Sequence, residues 1–241
     1  MSSERLMTYA RKSINRIIFA LSIIKLCSIM MLNCVCEDIQ TWPVYSVGTP
    51  GNHLIALTFD DGPHPEKTPE ILDILNQYQV KATFFVVGEN ASKNEDIVER
   101  IYNEGHEIGN HTLSHKYLLG EGRSVVEREI DLCDDVIFNH AEYNSVLFRP
   151  PGGLYDADLT AVCIDRGYSV VLWSIDTRDW SGTSANDICN EIYRNVEDGS
   201  IILMHDFVCG KSYTAEALKI VIPQLKKLGY RFVTVSELID N

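Results

Sequence analysis

Five short polar clusters carry the side chains of this chain that could do chemistry. In chain order they contain Asp60 and Asp61, His111 and His115, Arg149, Asp179 and Trp180, and Leu203 and His205. Two histidines and one carboxylate form a common zinc-ligand set that leaves a position open for water. Adjacent carboxylates repel one another, and a nearby cation or arginine is the usual remedy. Asp60 and Asp61 taken alone are nevertheless more typical of a polar turn.

The elements that must position these clusters alternate between strand-like and helix-like segments, which predicts a single α/β unit. The predicted strands are 53–59, 82–87, 106–109, 146–148, 168–175, 200–204 and 232–235. The predicted helices are 68–78, 95–103, 124–138, 156–166, 184–196 and 213–228, with a short terminal helix after them. Right-handed crossovers then give a parallel sheet that can close into a barrel, with its functional residues at the carboxyl ends of the strands.

The two histidines lie four residues apart, so one helical turn would bring His111 and His115 to the same face. Such a pair is a weak signal by itself, but with Asp61 at another strand end it predicts a metal site. A lone His205 at a strand end would suit a structural role. Five clusters at successive strand ends instead converge on one rim of the sheet.

The charge of the chain argues against nucleic acid as a partner. The 241 residues carry a formal net charge of −13. Residues 1–36 hold five of the 21 basic residues and one of the 34 acidic residues, so the rest has 16 against 33, or −17. Nucleic-acid binding needs a basic footprint, which this acidic body lacks.

Residues 1–36 have the pattern of an export signal. A basic region ending at Arg16 precedes an apolar run, and Cys34-Val35-Cys36 has the small-x-small form that signal peptidases accept. Lys25 interrupts the apolar run, so we expect cleavage, with an uncleaved membrane anchor as the alternative. Residues 37–50 are interpreted as a connector or an irregular first strand, and 51–241 as one domain.

Four cysteines lie outside the first 36 residues: Cys133, Cys163, Cys189 and Cys209. None forms a Cys-x-x-Cys pair, so a zinc knuckle or a redox dithiol is not expected. In an exported protein they could form disulfides in three pairings, and four partly buried thiols are the other interpretation.

The clusters belong to five longer motifs that resemble those of a known family. The motifs are Thr58-Phe59-Asp60-Asp61-Gly62, His111-Thr112-Leu113-Ser114-His115, Arg149-Pro150-Pro151-Gly152-Gly153, Asp176-Thr177-Arg178-Asp179-Trp180 and Leu203-Met204-His205. In this order they are similar to the motifs of the NodB-homology polysaccharide deacetylases, carbohydrate esterase family four. The resemblance covers residues 51–241 and implies a distorted (β/α) barrel and metal-dependent removal of acetyl groups from N-acetylated glycans.

The resemblance also implies how the water would be activated. Asp61, His111 and His115 would bind a divalent metal, zinc first, with Co²⁺, Ni²⁺ or Mn²⁺ as alternatives. That metal would polarise the acetyl carbonyl and lower the pKa of a bound water. Asp60 would be the general base, paired with Arg149.

The same resemblance makes His205 the general acid that protonates the leaving amine, held cationic by Asp179. The metal and the backbone N–H of Gly152 would hold the oxyanion, and Trp180 and Leu203 would line the pocket for the acetyl methyl. The third motif of the family commonly reads Arg-Pro-Pro-Tyr-Gly, and Gly152 stands in the place of the tyrosine. The backbone donor survives this change, so substrate preference is affected more than activity.

Together these features predict an exported, monomeric deacetylase of N-acetylglucosamine polymers, with peptidoglycan as the first substrate and chitin-like oligomers as the second. Its location would be extracellular or at the cell wall, with membrane contact only through an uncleaved N-terminal segment. An O-acetyl esterase acting on xylan is the alternative within the same chemistry. A non-catalytic glycan-binding wall protein is the alternative from another class, although degenerate members usually lose a ligand or the base.

Overall fold

The computed structural model describes residues 44–240, which form a parallel α/β fold. The strands are β1 (Val44–Tyr45), β2 (Leu54–Asp60), β3 (Thr83–Val86), β4 (Glu107–Asn110), β5 (Leu147–Phe148), β6 (Ser169–Val171), β7 (Ile175–Asp176), β8 (Ile201–His205) and β9 (Arg231–Phe232). They form a sheet in the order β1-β6-β5-β4-β3-β2-β8-β7, and β9 pairs with the start of β2. Every pairing between these strands is parallel.

Helices connect these strands and cover the outer face of the sheet. They are α1 (Lys67–Tyr78), α2 (Gly88–Ala91), α3 (Glu95–Asn103), α4 (Arg123–Ala141), α5 (Ala157–Asp165), α6 (Ala185–Asn195), α7 (Thr214–Lys227) and α8 (Val235–Ile239). Side chains cap several of the starts: Asp156 accepts a hydrogen bond from the backbone of Leu159, and Ser184 accepts one from the backbone of Asp187. Thr234 and Glu237 form a capping box at the start of α8.

The sheet curls until its two sides are joined by three residues of chain. Strand β6 lies beside β5 and β7 lies beside β8, yet only residues 172–174 separate β6 from β7. The sequence predicted one strand at 168–175, and the structure divides it here because the chain leaves one side of the sheet for the other. The result is a curled half-barrel in which the β6 and β7 sides are connected by this span rather than by a ladder of paired strands. We call the span the seam.

Strand β2 lies between two of the three hydrophobic clusters in the described part of the chain. Leu54 and Ala56 face the inside of the curl, where they pack with Phe85 and with residues of α8. Ile55, Leu57 and Phe59 alternate with them and face the helices. The same alternation makes Thr58 and Asp60 the upper end of the inward row, so β2 delivers Asp60 to the mouth of the half-barrel.

Several predicted boundaries shift by a few residues. Helix α3 has the predicted bounds, whereas the last predicted strand, 232–235, is cut short because Val235 begins α8. Of the two interpretations of residues 37–50, the structure shows a strand at Val44–Tyr45, which pairs with β6. Residue Val47 then bridges Ser200, at the foot of β8. The predicted signal or anchor at 1–36 lies outside the described residues.

The four cysteines among residues 44–240 are thiols in this structure. Cys133, Cys163 and Cys189 are buried, Cys209 is exposed, and all four are free. The interpretation as unpaired thiols is therefore confirmed over the disulfide alternative. Within residues 44–240, no helix is both long enough and apolar enough to cross a membrane.

Candidate metal centre and active site

Asp60 and Arg149 form a buried ion pair at the mouth of the half-barrel. Nη1 of Arg149 donates to Oδ1 of Asp60 at 2.7 Å and to the hydroxyl of Thr58 at 2.8 Å. Its other nitrogens donate to the backbone carbonyls of Val171, at 3.1 Å, and Leu172, at 2.8 Å. The guanidinium thus crosses the inside of the curl from the end of β5 to the end of β2. It fixes the rotamer of Asp60 and leaves Oδ2 of that carboxylate without a bond to the arginine.

Asp61 turns away from the strand and meets the two histidines. Its backbone has a φ of 76°, which rotates the carboxylate out of the inward row of β2. Oδ1 of Asp61 lies 3.0 Å from Nε2 of His115 and 3.4 Å from Nε2 of His111. One ligand atom from each of these three residues lies within 4.8 Å of the others. The structure therefore brings together the three residues predicted to bind metal.

The tautomer of His111 makes this cluster suitable for binding a cation. Nδ1 of His111 lies 2.6 Å from the carbonyl oxygen of Arg149. A carbonyl oxygen can only accept, so Nδ1 carries a proton, and in that tautomer Nε2 presents a lone pair to Asp61. Oδ1 of Asp61 is itself a buried atom with no hydrogen-bond partner among the described residues. Two acceptors that face each other require a proton or a cation between them, and these donor types are those that zinc prefers.

The pKa shifts of Asp61 and His115 also indicate that this cluster favours a positive charge. Burial by itself would raise the pKa of Asp61, but the two imidazoles of His111 and His115, 3.4 and 3.0 Å from Oδ1, outweigh it and hold the pKa well below its usual range. The carboxylate of Asp61 in turn raises the pKa of His115. The carboxylate is therefore ionised at neutral pH and available as a ligand.

The segment from His111 to His115 is a loop, so the predicted helical turn is wrong. Thr112 and His115 have φ values of 69° and 58°, which an α-helix does not permit. Oδ1 of Asn110 accepts from the backbone of Thr112 at 2.9 Å, and the carboxylate of Glu129 accepts from the backbone of Ser114 at 3.0 Å. These bonds fold the loop so that the two imidazoles still converge, with their ring centroids 5.1 Å apart.

His205 and Asp179 form a second charged pair on the other side of the mouth. Nδ1 of His205 lies 2.8 Å from Oδ1 of Asp179, and Oδ2 of Asp179 accepts from the backbone of His205 at 2.8 Å. The hydroxyl of Thr214 donates to the same Oδ2 at 2.6 Å. Burial lowers the pKa of His205, but the bond to Asp179 outweighs it and raises the pKa to about 9. His205 is therefore a cation at neutral pH with Nε2 free to donate.

The side chains of Asp60, Asp61, His111, His115 and His205 open onto one cavity of about 350 Å³. Arg149 and Asp179 are buried behind it. Gly152, Trp180 and Leu203, the residues predicted to bind the substrate, line it together with Asp60, the three metal-site residues and His205. Gly152 has a φ of 66° and lies in the turn Pro151–Gly153. Leu203 is buried, whereas Trp180 is exposed at the rim.

Sequence reasoning assigned no role in the cavity wall to three further residues that line it, Tyr117, Trp173 and Asp176, although Asp176 begins the fourth motif. Trp173 lies in the seam and stacks against Arg149, whose Cζ lies 5.7 Å from the ring. The one available signal for Tyr117 was its position two residues after His115. Two residues that shape the histidine loop were missed as positioning groups. Glu129 lies fifteen residues from its partner Ser114, whereas Asn110 bonds to Thr112, only two residues away.

The comparison with protein families decides where the chain belongs. The family model described as polysaccharide deacetylase matches residues 47–171. The chain belongs to the polysaccharide deacetylase family. The resemblance of the five motifs to the NodB-homology deacetylases is confirmed by this match, and residues 47–171 include the first three motifs.

Relatives of this polysaccharide deacetylase are similar over most of its length. It is 43% identical over 202 residues to a peptidoglycan-N-acetylglucosamine deacetylase of Bacillus cereus, covering 83% of this chain and 92% of that protein. The crystal structure of a peptidoglycan N-acetylglucosamine deacetylase bound to an N-hydroxybenzamide compound is 41% identical, with a TM-score of 0.79. That alignment covers 81% of this chain and 92% of the other.

A family 4 acetyl xylan esterase from Clostridium thermocellum in complex with a cobalt ion is also similar in structure. It is 38% identical with a TM-score of 0.72, over 77% of this deacetylase and 89% of that chain. The two comparison structures therefore include both an amide and an ester chemistry on the same fold.

Proposed function

We propose that the protein is a metal-dependent hydrolase that removes acetyl groups from N-acetylglucosamine residues of a polysaccharide, peptidoglycan first and chitin-like oligomers second. The observation that carries this proposal is the convergence, on one cavity, of a three-residue metal site, a carboxylate fixed by Arg149 and a cationic histidine fixed by Asp179. The peptidoglycan deacetylases among the relatives support the choice of substrate.

Asp61, His111 and His115 would hold the metal, with zinc as the first candidate and Co²⁺, Ni²⁺ or Mn²⁺ as the others. When bound, a divalent metal supplies Lewis acidity that polarises the acetyl carbonyl and lowers the pKa of water. The orphaned Oδ1 of Asp61 and the lone pair on Nε2 of His111 fit this role.

Asp60 is the proposed general base. Oδ1 is held by Arg149, while Oδ2 lies 3.8 Å from Nε2 of His111 and therefore faces the metal site. An attacking water beside that site can lose its proton to Oδ2. The bond from Arg149 to Oδ1 prevents the carboxylate from rotating away.

His205 is the proposed general acid. An amine is a poor leaving group unless it is protonated as the C–N bond breaks, and a histidine with a pKa of about 9 retains its proton at neutral pH. Nδ1 of His205 is hydrogen-bonded to Asp179, so the proton delivered to the substrate comes from Nε2. The backbone N–H of Gly152 would donate to the oxyanion, and Trp180 and Leu203 would enclose the acetyl methyl.

An enzyme with this activity would act at the cell wall, because peptidoglycan, the substrate named for its relatives, is cell-wall material. We infer that residues 1–36 direct export and are then removed, or remain as an anchor, and that residues 51–241 act as a monomeric catalytic domain. The acidic body of the protein, at −17 without its first 36 residues, favours neutral stretches of glycan over anionic ones.

Acetate release provides the test. The zinc-loaded protein should release acetate from peptidoglycan and from a tetramer of N-acetylglucosamine, and Asp60→Asn should lower kcat by at least about a hundredfold. Asp61→Ala should abolish zinc binding in a dye competition assay, whereas Asp60→Asn should retain it. Failure of the wild-type protein to release acetate from either glycan in the presence of zinc would refute the proposal.

The acetyl xylan esterase relative supports a second candidate, de-O-acetylation of xylan. An alcohol needs less protonation than an amine as it leaves, so the two reactions differ in their need for His205. His205→Ala should reduce amide hydrolysis far more than ester hydrolysis. An enzyme faster on acetylxylan than on either glucosamine polymer, with a weak dependence on His205, would favour this second candidate.

A further inference from the structure

Tyr117 places an exposed aromatic ring in the wall of the cavity, beside the polar residues of the metal site. Its side chain is 57% exposed, and the residue lines the cavity with the metal-site residues. The ring meets that of His115 edge to face, with centroids 6.0 Å apart and an interplanar angle of 66°. Tyr117 is therefore held beside the reaction centre while one of its faces stays open to solvent.

Gly152 makes this position of the ring available. A Cβ atom at residue 152 would lie 2.7 Å from Cε1 of Tyr117, well inside normal contact distance. The φ of 66° at Gly152 also disfavours any side chain there. The ring of Tyr117 consequently rests directly against the backbone of the turn Pro151–Gly153. The Tyr117 ring thus forms the part of the cavity wall that a side chain at residue 152 would otherwise occupy.

The chemistry of the wall indicates what packs against Tyr117. The metal-site residues beside Tyr117 present carboxylates and imidazoles, which bind hydroxyl and acetamido groups. A pyranose ring offers such groups along its edge and an apolar surface of C–H groups on its face. An exposed aromatic face beside polar groups matches that distribution, because Tyr combines a rigid apolar surface with a polar tip.

We propose that Tyr117 is the sugar-binding platform of this site: a hexopyranose ring of the substrate packs its C–H face on the tyrosine, and Gly152 is glycine to leave room for it. The identity of the ring as an N-acetylated sugar rests on the proposed function. Tyr117 determines binding and specificity and takes no part in proton transfer, since His205 and Asp60 fill those roles.

The test separates binding from chemistry. In an Asp60→Asn background, where turnover is suppressed, the zinc-loaded protein is titrated calorimetrically with a tetramer of N-acetylglucosamine. Tyr117→Ala should weaken binding about tenfold, the value expected when an aromatic contact of about 1.4 kcal/mol is removed. Tyr117→Phe should remain within about twofold of the tyrosine, because the stacking face is retained. Tyr102→Ala, which removes a similarly exposed tyrosine outside the cavity, should have no effect.

Zinc affinity, measured on the same proteins, distinguishes a sugar platform from a support for His115. Unchanged zinc affinity with weakened tetramer binding is the expected result. Equal tetramer affinity for Tyr117→Ala and its parent, absence of tetramer binding by the parent, or a loss that follows zinc affinity would each overturn the inference. Tetramer binding through Tyr117, together with no acetate release by the zinc-loaded protein that retains Asp60, would refute the proposed function alone.

Discussion

Replacing Asp179 with asparagine should convert His205 from a cation into a neutral ring. The substitution preserves the shape of the side chain, and its oxygen can still accept from the backbone of His205 and from Thr214, as Asp179 does at 2.8 and 2.6 Å. It removes the negative charge that raises the pKa of His205 to about 9. The amide nitrogen would also face Nδ1, which favours the tautomer with a lone pair at that atom.

The size of the effect follows from the protonated fraction of His205. At pH 8, a group with a pKa of about 9 is about 90% protonated, whereas one at the ordinary value of about 6.5 is about 3% protonated. Burial lowers the pKa of His205 when nothing opposes it, so about thirtyfold is the minimum loss of kcat at pH 8. The ratio of wild-type to variant rate should shrink as the pH falls towards 6, because the variant then regains its proton.

The assay is the pH profile of acetate release by both proteins. The wild-type rate should decline above about pH 9, and the variant should decline from below about pH 6.5. Thr214→Val provides the matched control, since it removes a hydrogen bond to Asp179 and keeps the carboxylate, and should shift the profile by much less. A variant whose rate ratio does not change with pH would show that Asp179 does not set the charge of His205.

Three further predictions concern Arg149 and His106, which affect stability, and Glu129, which supports the metal site. Arg149→Lys should lower the free energy of unfolding by about 2 to 4 kcal/mol, because one ammonium cannot serve Asp60 and the backbone carbonyls together; urea unfolding measures this, and a change below about 0.5 kcal/mol would contradict it. Burial lowers the pKa of His106 to about 4, so the unfolded chain takes up a proton first as the pH falls below about 6.5. The contribution of neutral His106 to the free energy of unfolding should therefore be fully present above pH 6.5 and fall by about 3 kcal/mol as the pH approaches 4. His106→Asn should remove that loss. Glu129→Ala should weaken zinc binding about tenfold by releasing the backbone of Ser114, whereas Glu129→Gln should retain it; equal zinc affinity for both would show that the loop is held by other contacts.

Sequence reasoning succeeded where a local signal determined the outcome. The resemblance of the first motif implied separate roles for Asp60 and Asp61, and the structure does place one carboxylate inside the curl and the other at the histidines. Helix α3 was predicted with its observed bounds because its apolar residues repeat at helical spacing. The convergence of the clusters followed from the parallel sheet alone.

It failed where distant contacts override the local pattern. The spacing of His111 and His115 is that of a helical turn, but Glu129, fourteen residues beyond His115, bonds to the intervening backbone and holds a loop instead. The apolar segment 168–175 resembles one strand, and only the curl of the whole sheet shows why it divides. Tyr117 has no signal in the sequence beyond its position two residues after His115, because its importance depends on the absence of a side chain at Gly152, against which its ring lies.

The seam also determines where this fold can be extended. Residues 172–174 span the gap between the two sides of the sheet, and the carbonyl oxygen of Leu172 is bound by Arg149, the residue that orients Asp60. An insertion there would move the guanidinium and separate the sides of the half-barrel at once. Loops at the opposite end of the strands have no such connection to Asp60. A domain or tag added to this protein should therefore be tolerated at that far end, while even one extra residue in the seam should remove both order and activity.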